Sequence, residues 1–313
     1  MIRRIRIENF KGIREGELEL APLTILLGAN NSGKTTMLEA LLLAYGPAHK
    51  LPYPNTAAVE LMRTLHMTLG GEGFSFLLHD YSAEKARIAV KSDESAWELL
   101  LTRRGALVFI KEPSQFGGQE IKLPMGVGSS SYLSRGFSKA LFIRSDLTKL
   151  AYRYLRAVWP DVWKYAPKVA SELSKLVHED YTNFTMEPFH GGEPTLYAFL
   201  KDGRRIRLGD LGDGVQVLAI VMLLYELIKP ELLLWDDVEA HMNPSMLLYL
   251  AGWLADRVRE GVQVVLSTHS LEAVRTIAGA VEEVAGEKAR IYLLSLRDGV
   301  LRARALTIEE VEK

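Results

Sequence analysis

Cysteine is absent. That removes disulfides, thiolate nucleophiles, iron–sulfur clusters and cysteine zinc sites at once, and it suits a reducing, cytoplasmic setting. A surplus of either charge is absent too. With 38 lysines and arginines against 39 acids the net charge is −1, so no whole-chain field attracts nucleic acid or an anionic membrane, and any basic site must be local. The most apolar run, residues 217–225, is far short of the roughly 20 that span a bilayer, and the N-terminus carries no apolar signal core, so no membrane segment is expected. Neither an internal repeat nor a heptad run long enough for a coiled coil is present. What remains is 313 residues, 48% hydrophobic and 25% charged, enough chain for about two globular domains.

The pattern of apolar residues divides the chain. Residues 2–8, 15–20 and 23–27 read as strands, and the last runs into a glycine-rich loop followed by a helix over 35–45 that Gly46-Pro47 closes. Between 47 and about 207 the spacing predicts a helix over 57–69 and short strands at 87–90, 97–102 and 107–111. A glycine- and serine-rich loop follows over 116–131, then a strand at 141–144 and a helix over 147–159 stopped by Pro160. A helix over 161–179 is expected to be strained or broken at Pro167, and a hairpin turns at Asp202-Gly203. From 214 onward helices (215–228, 244–259, 271–278) alternate with wholly apolar strands (232–235, 262–267), the signature of a parallel sheet covered on both faces. A hairpin at Asp298-Gly299 joins strands 290–296 and 300–306.

Gly28-Ala-Asn-Asn-Ser-Gly33-Lys34-Thr35 satisfies G-x-x-x-x-G-K-[ST] and lies between a predicted strand and a predicted helix, as a phosphate-binding loop must. Amides from Asn31 through Ser32 and Gly33 to Thr35 would wrap a β-phosphate at the helix N-terminus, Lys34 would bridge β- and γ-phosphates, and Thr35 would offer its hydroxyl to magnesium, with Thr36 near the α-phosphate. A magnesium-dependent NTPase also needs a carboxylate from a neighbouring strand. The apolar run 232–235 ends in Asp236, where ligands bind in open parallel sheets, and Asp237 follows, placed to orient a water, although two acids there could also cap the next helix. His269 ends the next apolar strand on the same sheet edge, though alone it could be a satisfied loop histidine. Leu211-Gly212-Asp213-Gly214-Val-Gln216 precedes the long helix whose N-terminus could take a phosphate. No N-K-x-D guanine-reading motif occurs, which favours ATP over GTP.

In this order the motifs resemble those of ATP-binding-cassette ATPases of the RecF, SMC and OLD type. The resemblance rests on Ile5-Arg-Ile-Glu-Asn-Phe-Lys-Gly-Ile13, the loop 28–35, Asp236-Asp237-Val-Glu-Ala-His-Met-Asn-Pro244 and Thr268-His269-Ser270. It covers residues 1–45 and about 205–275. It implies an α/β fold, a P-loop NTPase of ABC-ATPase head type, with a parallel core sheet flanked by helices, an antiparallel N-terminal subdomain, and a helical and mixed second lobe. The expected division is a split core, 1–46 and 205–313, with 47–204 inserted as lobe II. It further implies a head-to-tail homodimer with ATP and magnesium between one subunit's P-loop, including Gly28 and Asn30, and the other's signature at Gly212, Asp213 and Gly214. Asp236 is then the magnesium aspartate, Asp237 the catalytic carboxylate and His269 the switch histidine. Asp237 stands where a glutamate is usual, which predicts slow hydrolysis, and Gly212 stands where a serine is usual. The family's Q-loop glutamine has no clear counterpart; Gln115 is one candidate, and 142–147 resembles the equivalent RecF segment.

Only 43 residues follow Ser270, too few for the nuclease domain that OLD-type proteins append, and no membrane-coupling segment supports transport. Residues 135–168 carry eight lysines and arginines against two acids, and Lys149, Arg153 and Arg156 share one helical face beside Tyr152 and Trp159. Such a face fits double-stranded DNA phosphates and equally fits solvent. Two functions stay open: an ATPase acting on DNA, or on a DNA-processing partner, in repair or genome defence, and an ATP-dependent regulatory subunit of a separate nuclease or other effector.

Overall fold

The computed structural model describes residues 1–45, 50–66, 74–103, 105–111, 120–123, 139–177, 179–287 and 289–312. Strands β1 (Ile2–Phe10) and β2 (Ile13–Glu19) form an antiparallel hairpin in which Ile5, Ile7 and Leu18 face the core while Arg4, Arg6 and Glu17 face water. β3 (Leu23–Leu27) is buried throughout and leads through the glycine loop into α1 (Lys34–Tyr45). After α2 (Ala58–Leu65) come β4 (Lys85–Ser92), β5 (Ala96–Thr102), β6 (Gly105–Lys111) and β7 (Glu120–Leu123), joined antiparallel in sequence, and then the apolar β8 (Ala140–Ile143).

Helices α3 (Thr148–Ala157), α4 (Trp159–Val162) and α5 (Ala166–Val177) precede a three-stranded antiparallel sheet of β9 (Tyr181–Pro188), β10 (Pro194–Leu200) and β11 (Arg205–Arg207). The last third alternates α6 (Asp213–Ile228), β12 (Leu232–Trp235), α7 (Pro244–Arg259), β13 (Gln263–Thr268) and α8 (Leu271–Ala285), then closes with β14 (Arg290–Arg297), β15 (Val300–Leu306) and α9 (Ile308–Glu312). Two caps explain the helix starts in this region. The Asn243 side chain accepts from the amide of Met246 at 2.9 Å, and Ser270 accepts from that of Ala273 at 3.1 Å.

One sheet of twelve strands, in the order β7-β6-β5-β4-β1-β2-β15-β14-β3-β13-β12-β8, runs through the molecule. β14, β3, β13, β12 and β8 are parallel neighbours, so their carboxyl ends share one edge, and the loop after β3, Asp236 and His269 meet there. Gln263 ties the N-terminal hairpin to this core. Its amide donates to the carbonyls of Ile2 at 2.7 Å and Ala21 at 3.2 Å and accepts from the Ile2 amide at 2.9 Å.

Several expectations change. Within 47–204, β4–β7 extend the N-terminal strands edge to edge and β8 pairs with β12, while α2, α3–α5 and the β9–β11 sheet are among the described elements outside the large sheet. Residues 120–123 within the expected loop form a strand, while the rest of 116–131 lies outside the described residues. Pro160 does not stop a helix but opens the short α4; at Pro167 the expected break is found, since a 3-10 turn at 163–165 separates α4 from α5 and places Pro167 second in α5, where no intrahelical amide is needed. β9 has no counterpart in the sequence reading. α8 runs seven residues past 278, because Gly279 is carried inside it and the stop is Gly286, in the left-handed region at φ 69°.

Candidate functional site

The loop after β3 has a shape only its glycines permit. Gly33 has φ 93°, and a Cβ there would lie 2.9 Å from Leu301 Cδ1; one at Gly28 would lie 2.6 Å from Ser32 Oγ. Lys34, nearly buried at the start of α1, curls its Nζ back to donate to the carbonyls of Gly28 (2.9 Å) and Ala29 (3.0 Å). Burial pushes this ammonium's pKa down, against the pull of Asp237, Asp236 and Glu239.

Asp236 is 4% exposed at the end of β12. It accepts from the Thr35 hydroxyl at 2.9 and 3.1 Å and from Ser267 Oγ at 2.5 Å, and the same Ser267 oxygen accepts from the Asp237 amide at 2.8 Å. Burial pushes the Asp236 carboxyl up, with Ser267 and Thr35 acting against it. Asp237 is held in the left-handed region, φ 52°, a conformation uncommon for a non-glycine residue and of the kind that collects at working sites. Its Oδ1 lies 3.5 Å from His269 Nε2, and the His269 amide donates to Glu239 Oε1 at 2.7 Å. A cavity of about 420 Å3 holds every loop position from Asn30 to Thr36 together with Asp237 and His269.

A divalent cation fits these donors. A buried carboxylate and one hydroxyl converge, the Ser32 hydroxyl is buried without a partner, and no cluster of three or more His, Cys, Asp or Glu among the described residues could hold an ion by itself. Such a site suits magnesium, which is commonly bound through one carboxylate plus phosphate oxygens.

Gly212, Asp213 and Gly214 do not line this cavity. They form the start of α6, with Gly212 and Asp213 exposed, Gly214 packed against the His241 carbonyl and Met246, and Asp213 3.6 Å from the His241 ring. Arg153 and Arg156 lie together on α3, lining another cleft. The Lys149 side chain and Gln115 fall outside the described residues.

Sequence reasoning missed a buried charged cluster that reaches Asp236 through Arg144. Glu39, one turn beyond Thr35 on α1, is fully buried between Lys11 of the β1–β2 turn, His66 (2.7 Å) and Arg144 (3.6 Å). Burial alone would raise the Glu39 carboxyl, but His66 and Lys11 together hold it below its ordinary value. Arg144 follows β8 as Asp236 follows β12, with Ile143 paired to Trp235, and it also holds Asp146 at 2.7 Å. The strand-end rule that found Asp236 would have found Arg144. Ser267 and Glu239 carried no comparable signal, because their part is to position neighbours.

Residues 1–99 match a family described as AAA ATPase domain, and residues 155–275 one described as AAA domain, putative AbiEii toxin, Type IV TA system. An OLD nuclease of Thermus scotoductus is 32% identical over 77 residues, 21% of this chain and 14% of that protein, so the match spans about a seventh of the relative's length. The fold is similar to that of solved SMC heads. A head bound to the C-winged helix domain of ScpA gives a TM-score of 0.60 at 15% identity over 98% of both chains. The Pyrococcus furiosus head bound to the ScpA C-terminal domain gives 0.61 at 12%, over 100% of this chain and 98% of that one, and the Thermotoga maritima head 0.54 at 14%, over 98% and 99%. The loop, the paired aspartates and the histidine stand on one sheet edge, and these likenesses support a P-loop ATPase of the RecF/SMC/OLD-like class.

Proposed function

We infer that the chain works as a head-to-tail homodimer with ATP and magnesium between the subunits, and that this dimer acts on DNA or on a DNA-processing partner in repair or genome defence. The observation that carries the dimer is a separation within one chain. The phosphate loop, Asp237 and His269 line one cavity, while the exposed Gly212 and Asp213 at the start of α6 lie outside it, available to a second copy. Lys34 would release its two loop carbonyls to take the β- and γ-phosphates. Thr35 and Asp236 would hold the magnesium ion, which supplies charge neutralisation on the same oxygens. Asp237 accepts a hydrogen bond from the attacking water, and His269, 3.5 Å from that carboxylate and anchored through Glu239, reports the γ-phosphate. The short Asp237 side chain makes hydrolysis slow. The amides of Asp213 and Gly214 replace the hydroxyl that Gly212 lacks.

The test is ATPase rate and molar mass in solution, with and without ATP–magnesium and double-stranded DNA, across a salt series. An ATP-dependent dimer whose rate rises with DNA supports the reading; ATP binding with neither response overturns it.

A second reading is favoured by the match of residues 155–275 to a toxin–antitoxin description and by solved SMC heads seated on ScpA. In it the ATPase controls a separate effector protein, a nuclease or a toxin, and never touches DNA. Charge reversal at Lys149, Arg153 and Arg156 separates the two, since only the first loses a salt-sensitive DNA affinity.

A further inference from the structure

Away from the nucleotide site, α3 and the β9–β11 sheet enclose an open cleft of about 430 Å3. Its helical wall presents Tyr152, Arg153 and Arg156. The facing wall is the turn between β9 and β10, with Phe189 and Glu193, and Arg207 from β11. The walls are fixed to each other: the Tyr152 hydroxyl contacts Thr195 and accepts from the Leu196 amide at 2.5 Å. The side chains within are left open. Phe189 is 39% exposed, with the Arg207 guanidinium 4.2 Å over its ring and the His190 ring 4.5 Å from it edge-on. Arg153 is exposed and makes no ion pair among the described residues, and Arg156 meets only Glu193, itself 75% exposed. Arg207 is itself paired with Asp210 at 2.7 and 2.8 Å, so it is Arg153 and Arg156 that offer charge, against the one carboxylate of Glu193, beside an accessible aromatic ring.

We propose that this cleft binds a nucleotide unit of a single-stranded nucleic acid, with Arg153 and Arg156 on its phosphates and an unpaired base stacked against Phe189 and Arg207. Guanidiniums alone would suit any phosphate or acidic peptide. A ring capped by a guanidinium inside a cleft adds a platform for a flat base, which a duplex keeps stacked within itself. The cleft is also linked along the chain to the start of α6. Arg207 leads through a single 3-10 turn, Leu208–Asp210, into the Leu211–Gln216 segment that opens α6, and Gln216 Nε2 donates back to the Leu211 carbonyl at 2.7 Å. Occupancy of the cleft therefore bears on the segment offered to a partner's ATP. The inference rests on the DNA reading and names its ligand.

The test is fluorescence anisotropy of the full chain with labelled oligothymidine of about 15 nucleotides, a blunt duplex of equal length and labelled AMP. Wild type is compared with Phe189→Ala, Phe189→Tyr and Arg153→Glu, and circular dichroism checks each fold. The expected result is roughly tenfold weaker oligothymidine binding for Phe189→Ala, recovery in Phe189→Tyr, a loss in Arg153→Glu that shrinks with salt, and little change for duplex. Oligothymidine bound equally well by all variants would overturn the cleft and leave the DNA reading standing. No binding of either nucleic acid would overturn both. AMP bound as tightly as the strand would assign the cleft to a free nucleotide and overturn the strand proposal.

Discussion

Around Glu39 a carboxylate with no exposed surface is ringed by Lys11, His66 and Arg144, whereas in the α3–β10 cleft Arg153 and Arg156 stand exposed beside a glutamate that is 75% exposed, and Arg207 pairs with Asp210 at the surface. The chemical types are the same and the consequences differ. Buried charges must be matched, so the Glu39 cluster fixes where β8, α1 and the β1–β2 turn meet and holds Arg144 beside Asp236. Exposed charges are screened and contribute little to stability, which leaves those of the cleft free to meet a ligand.

The largest effect belongs to the buried edge. Asp237→Asn should lower the ATPase rate by roughly 10²- to 10³-fold with ATP affinity retained, measured as kcat and as nucleotide binding in separate assays. A wild-type rate would remove that carboxylate from the reaction. Glu39→Gln should come next, at about 3 kcal/mol of unfolding free energy, because Lys11 and Arg144 lose their buried counter-charge. The sign with pH is set by the lowered Glu39 pKa. The carboxylate's contribution is complete above its ordinary value of 4.5 and fades as pH falls through the lower folded value, so denaturant curves of wild type and variant should converge in acid. Lys34→Ala should weaken ATP binding by about 100-fold in calorimetry, the size of one lost charge-assisted contact. Ser267→Ala, which strips a hydrogen bond from Asp236 and one from the Asp237 amide, should slow hydrolysis by roughly tenfold with a smaller change in ATP affinity.

The same contrast explains what was legible. β3, β12 and α7 were readable to the residue because their signals are local: an unbroken apolar run, or Asn243 and Pro244 at a helix start. The phosphate loop and Asp236 were readable because a motif with fixed spacing sat between a strand and a helix. Glu39 and Lys11 were not, since their partners lie 27 to 105 positions away and meet only through sheet order, whereas Arg144 stood at a strand end as Asp236 does. That β4–β7 continue the N-terminal hairpin could not be read either, because an exposed alternating strand carries no mark of its neighbour. The cleft was half legible: the helix spacing of Arg153 and Arg156 was plain, whereas Phe189 and Arg207 come from a turn and a strand brought opposite by the fold.

The smallest expected effect sharpens the comparison most directly, because it repeats the Glu39 substitution where the surroundings are reversed. Glu193→Gln removes one carboxylate from one arginine at the mouth of the cleft, both groups well exposed. Solvent already screens that pair, so the thermal midpoint should not move measurably, in contrast to the loss at Glu39. What should change is the charge offered to a ligand. With Arg156 released, oligothymidine should bind about two- to threefold tighter at low salt, and the plot of log affinity against log salt should steepen toward one further phosphate contact. A destabilisation equal to that of Glu39→Gln would mean that the cleft's charges support the fold as the buried ones do, and the division drawn between the two regions would be wrong.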